Sequence, residues 1–135
     1  MGPLTDEPLL YVYAVVRSAD VDDGQPADPP PDVTLGGGLA TVEYRGLTAV
    51  VEEVPEAEFD EAPLRARMED PDWLANVVRA HHGVLAAAGR RTTTVPLRLG
   101  TVRRGEPGVR RLLEEEEESL SEALDRPAEG RREFP

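Results

Sequence analysis

The stretch "VVRAHHGVLAAAG", residues 77 to 89, carries the chain's two histidines, His81 and His82, side by side. An imidazole can ligate a metal or act as a general base. A helix that offers two imidazoles to one ion spaces them three or four residues apart, whereas adjacent side chains diverge by about 100°. Turning residues 73 to 88 around a helix axis places Trp73, Leu74, Val77, Val78, Val84, Leu85 and Ala88 in one apolar sector, with His81 near its centre and His82 at its edge. His81 is therefore expected in the core, hydrogen-bonded to backbone or to a carboxylate, with His82 at the boundary. Catalytic use of either histidine is the outlying alternative.

A second concentration of chemistry is the run Glu114 to Glu118, which suggests a cation site. The same angular placement divides it. Val109, Leu112, Leu113, Leu120, Ala123 and Leu124 define a buried stripe, and Glu114, Glu115, Glu117 and Glu118 point away from it. Glu116 falls inside the stripe, so it is expected to pair with an arginine such as Arg98 or to sit where the helix overhangs the sheet. Elsewhere the signals are weak. The glycines 36 to 38 lack the lysine and the following helix of a phosphate-binding loop and read as loop flexibility, and no serine stands in a nucleophile signature.

These residues need elements to hold them. "LLYVYAVVR" (9 to 17) is rich in β-branched and aromatic residues and apolar on both alternating faces, which predicts a central strand. Residues 18 to 38, dense in Asp, Pro and Gly, predict a long mobile loop that buries little and is dispensable for folding. "LATVEYRGLTAVVEEV" (39 to 54) predicts two strands hinged at Arg45 and Gly46. Residues 55 to 62 form an acidic connection. Asp70 and Pro71 open a helix to about Ala88, with Gly89 placed to end it. "TTTVPLRLGTV" (92 to 102) predicts one strand, at an edge or bulged because Pro96 donates no hydrogen bond. Residues 108 to 126 predict a final helix. The order gives an α+β domain, a mostly antiparallel sheet with helices on one face. Trp73, His81, Pro96 and Glu116 are its expected structural residues. Strand one keeps Leu9, Tyr11, Tyr13 and Val15 on the face away from the helices, so Tyr11, Tyr13 and Val15 are expected to form an exposed partner surface.

With 135 residues, 39% of them hydrophobic, the chain is sized for one domain with its own core. No cysteine is present, which excludes disulfides and thiolate zinc sites. No apolar run approaches a membrane span, and no export or lipidation signal is visible, so the cytoplasm is the expected compartment. The net charge is −12, and residues 1 to 64 carry the whole excess, with 14 acidic residues against Arg17 and Arg45. A surface of that sign repels nucleic acid and anionic lipid, so neither is an expected partner.

Three segments in order, "LLYVYAVVR", then "WLANVVRAHHGVLAAA", then "TTVPLRLGTV" followed by "VRRLLEEEEESLSEALDR", resemble the GvpL/GvpF family of gas vesicle proteins. In that family a tyrosine-rich opening strand, a Trp-Leu helix with a histidine before an apolar turn, and a proline-containing strand ending in Gly-Thr-Val recur in this order. The resemblance covers the chain apart from residues 18 to 38. It implies a domain like a modified ferredoxin fold and an accessory role in gas vesicles, the gas-filled protein compartments that give cells buoyancy. The implied partners are the small hydrophobic shell protein and other accessory proteins. No catalytic activity or cofactor comes with the resemblance. Family members continue into a second α+β domain, whereas "EGRREFP" reaches its start and stops, so residues 1 to 135 read as the first domain alone. The alternative function is a small-molecule-binding regulatory domain, by analogy with other ferredoxin-like sheets.

Overall fold

The computed structural model describes residues 8–20, 34–35 and 37–125. Strand β1, Leu9–Arg17, lies in the middle of a five-stranded sheet and is buried along nearly its whole length. On one side it pairs antiparallel with β3, Leu47–Val54, which in turn pairs with the outer strand β2, Leu39–Tyr44. On the other side it pairs with two short strands, β4 (Thr94–Pro96) and β5 (Val102–Arg104).

The β2–β3 turn is the two-residue hinge expected at Arg45 and Gly46, and both have positive φ, 47° and 84°. That pair of angles matches the right-handed twist of the flanking strands. The expected single strand over 92 to 102 is instead two. Strand β4 ends at Pro96, and its pairing with β1 runs one residue further, where the Leu97 amide donates to the Tyr13 carbonyl at 3.0 Å. A turn follows, with Thr101 donating to the Arg98 carbonyl and Gly100 at φ 88°.

Five α-helices complete the described part of the domain. The acidic connection after β3 is not structureless: it forms α1 (Glu56–Phe59) and α2 (Glu61–Arg67), the latter capped by Asp60. Helix α3, Pro71–Arg91, begins as expected, with the Asp70 carboxylate accepting from the amides of Asp72 and Trp73 and proline in the first turn. It runs through Gly89 to Arg91, because one glycine costs a helix only about 1 kcal/mol and the buried Ala87 and Ala88 hold the last turns. The final helix starts earlier than expected, at Gly105, and breaks at Glu116 into α4 (Gly105–Glu115) and α5 (Glu117–Leu124).

The α+β class and the antiparallel sheet are those of the sequence, but the helices divide between the faces. Helices α4 and α5 bring Val109, Leu113 and Leu120 against Leu10, Val12, Val15 and Val51. Helices α1 and α3 bring Phe59, Val77 and Val84 against Leu9, Tyr11, Tyr13 and Val50. A bulge in β1 produces the allocation. Val12 pairs with Val51 but Ala14 with Val50, so Tyr13 is one extra residue. The inserted residue reverses the alternation beyond it and sends Val15 to the face opposite the two tyrosines.

Candidate functional site

The face expected to be open is closed. Tyr11, Tyr13 and Val15 are each 0% exposed, the tyrosines under α3 and Val15 under α4–α5. Strand β1 is thus not a partner surface in this fold, because helices α1 to α3 occupy the side that the sequence order had left uncovered.

The chemistry-capable residues meet under α3. His81, one helix position away from the exposed His82, is fully buried, and its Nδ1 lies 3.0 Å from the Tyr11 hydroxyl. The Tyr11 oxygen also accepts the Gly100 amide at 3.0 Å, so this phenol ties α3 to the turn between β4 and β5. Tyr13 stands beside Tyr11 with ring centroids 4.7 Å apart, and its hydroxyl donates to Glu52 Oε1 at 2.6 Å. The two rings and the imidazole, at centroid distances near 6 Å, form one aromatic cluster, to which Phe59 adds an edge contact with Tyr11.

Glu52 is the residue that the sequence reading passed over. It is fully buried, a position a carboxylate holds only when its acceptors are engaged. Its Oε1 accepts the Leu35 amide at 2.9 Å besides the Tyr13 phenol, and its Oε2 accepts the amides of Gly37 at 2.6 Å and Gly38 at 3.1 Å. Three amides from one short segment converging on one anion make a concavity like the backbone sites that bind phosphate, here filled by the protein's own side chain. The glycines are required by this approach. A Cβ on Gly37 would stand 2.3 Å from the Glu53 carbonyl oxygen, and Gly38 has φ 80°.

Burial, followed by the hydrogen bond and the negative charge of Glu52, pushes the Tyr13 phenol well above its ordinary value. The phenol stays protonated and serves as a fixed donor.

The expected loop over 18 to 38 is therefore ordered at both described ends. Ser18–Asp20 form a short 3-10 turn, with Ser18 Oγ 2.7 Å from Thr48 Oγ1, and Leu35, Gly37 and Gly38 clasp Glu52. Its middle, residues 21 to 33, and Gly36 lie outside the described residues. A signal for Glu52 did exist: in "LTAVVEEV" it shares strand parity with Val50 and Val54, an acid between two valines of one face.

Chemically, the Tyr11 and Tyr13 hydroxyls, His81 Nδ1 and the Glu52 carboxylate are engaged within the fold, and none of these side chains reaches solvent. The cluster is built to hold elements together. Among the described residues no group of three or more His, Asp or Glu is arranged to hold a metal ion, and no helix is long and apolar enough to cross a membrane.

Comparison with known proteins assigns the domain. The family model described as gas vesicle synthesis protein GvpL/GvpF matches residues 9–134. The chain belongs to the GvpL/GvpF family. A GvpL/GvpF relative, gas vesicle protein L from Streptomyces sp. (strain CB03234), is 44% identical over 126 residues, which cover 91% of this chain and 45% of the relative. The chain thus spans a little under half the length of that protein. The crystal structure of the gas vesicle protein GvpF from Anabaena sp. PCC7120 matches with a TM-score of 0.56 at 22% identity, over 90% of this chain and 44% of that one, a likeness of fold.

In this GvpL/GvpF domain the other structural positions fall as follows. Trp73 is half-buried, 5.2 Å from Phe59 between ring centroids, and its indole N–H donates to Glu58 Oε1 at 2.8 Å. Pro96 is half-buried opposite Ala14 on the interrupted edge. Glu116 does not pair with Arg98 among the described residues. It sits half-buried at the break between α4 and α5, with φ −110° and ψ 15°, so the helix yields at the position where a carboxylate would enter the apolar stripe.

Proposed function

We propose that this domain is a non-enzymatic accessory or structural component of gas vesicle formation in the cytoplasm, contacting the small hydrophobic shell protein and other accessory proteins during assembly. The observation that carries the reading is the family match over residues 9–134. The geometry supports its non-enzymatic part: His81 Nδ1, the Tyr11 and Tyr13 hydroxyls and the Glu52 carboxylate are engaged with one another and with backbone amides, away from solvent. Within this reading the domain makes its contacts through surfaces other than β1.

The test is co-purification. The tagged chain, produced with the hydrophobic shell protein, is expected to retain it well above a tag-only control. Retention at the control level, from cells in which vesicles still form, would overturn the proposal.

A further inference from the structure

Strand β2 is the outer strand of the sheet, and no described residue pairs with its free edge. The opposite edge is guarded: β4 and β5 are three residues each, Pro96 removes a donor, and a turn separates them. Short strands and proline are the devices by which proteins prevent unwanted strand addition. Strand β2 has neither. It is six residues of continuous ladder, and Thr41, Val42 and Tyr44 all favour extended backbone.

Beside this edge, on the α4 face, opens a cavity of about 660 Å³. Leu10, Ala40, Val42 and Val51 line it, and the first turns of α4 form its far wall. Its charge is one-sided. Arg110 is engaged by Glu106 at 2.9 Å. Glu53 is exposed and forms no ion pair or side-chain hydrogen bond among the described residues. Between Glu53 and the free edge lie Gly37 and Gly38, and a Cβ on Gly38 would meet nothing within 4 Å. Gly37, Gly38 and Glu53 line the same cavity, so a long side chain laid over Gly38 shares its space with that carboxylate.

We propose that the β2 edge binds an extended basic segment of another protein as an added strand, independently of the vesicle role above. Backbone hydrogen bonds along residues 39 to 44 supply the affinity. Alternate small apolar side chains settle over Ala40 and Val42, and an arginine or lysine reaches across Gly38 to Glu53. A second copy of this chain is a poor occupant, because its net charge of −12 is concentrated in the half that holds β2.

The probe is a short fluorescein-labelled peptide alternating valine and threonine between terminal arginines, compared with the same peptide N-methylated at alternate residues so that it cannot add as a strand. Fluorescence anisotropy is expected to show binding of the first only, with NMR amide shifts centred on residues 39 to 44. Glu53→Lys is expected to weaken binding about five- to tenfold. Ala40→Trp, which fills the cavity floor, is expected to abolish binding while leaving the far-ultraviolet circular dichroism intact. Equal binding of the N-methylated peptide, no binding at millimolar concentration, or amide shifts away from β2 would each overturn the proposal. So would concentration-dependent self-association through the same edge, which would make a second copy the occupant.

Discussion

On the α4–α5 side of the sheet, Leu10, Val12, Val15 and Val51 pack against Val109, Leu113, Leu120 and Leu124, an interface of aliphatic side chains. On the α3 side the same two central strands carry Tyr11, hydrogen-bonded to His81, beside Tyr13, hydrogen-bonded to Glu52. Aliphatic packing is graded: a side chain of similar volume repacks at modest cost. A buried polar network is closer to all-or-none, because removing one acceptor strands every donor aimed at it. One face should therefore tolerate conservative exchange, and the other should not.

The largest expected effect compares truncations. Glu52→Ala leaves three amides and a phenol without their acceptor and should cost about 4 kcal/mol in urea unfolding. Leu113→Ala should cost about 3 kcal/mol through the cavity it opens. The conservative pair sharpens the contrast. Leu113→Met should lose less than about 1.5 kcal/mol, while Glu52→Gln, which sets a donor against donors, should lose about 2 kcal/mol. Equal tolerance of both conservative changes would erase the distinction between the faces.

The second effect lies within one helix. His81→Asp buries a charge among the tyrosines and should destabilise by about 2 kcal/mol or more, whereas the adjacent His82→Asp should stay within about 0.5 kcal/mol. Equal losses at the two sites would contradict the placement of α3. The smallest effect is outside both faces and has the opposite sign. Arg45 holds φ 47° at the hairpin tip, so Arg45→Asn should stabilise by about 0.5–1 kcal/mol, visible as a rise in Tm with no change at Glu52 or His81. A fall in Tm would mean that the Arg45 guanidinium over the Tyr44 ring outweighs the backbone strain.

Strand β1, the Arg45–Gly46 hinge, the Asp70 cap and the inward direction of His81 were legible because each is written within a few residues of itself. The features that escaped depend on residues far apart or on a broken rule. Glu52 finds its partners 14, 15, 17 and 39 residues away, and only chain reversal brings Leu35, Gly37, Gly38 and Tyr13 to it. The allocation of Val15 failed because strict alternation assumes a uniform pleat, and the bulge at Tyr13 carries no glycine or proline to announce it. The length of the last helix was overread for a related reason. Its apolar pattern continues past Glu116, and helical hydrogen bonds do too, from Glu116 to Leu112 and from Leu120 to Glu116, so the break lies in the backbone angles of one half-buried residue.

The extra residue in β1 also acts as a key. Before it, odd-numbered side chains point toward α3; after it, even-numbered ones do. A uniform strand could slide by two residues against its neighbour and still bury a plausible set of side chains. A slide of β1 would carry the phase change along β3 to a place where the facing residues do not switch, and every side chain between the two positions would meet the wrong layer. Near-miss alignments are thereby made distinguishable from the correct one, and a strand that is apolar on both sides, the kind most open to mispairing, comes with its own proofreading.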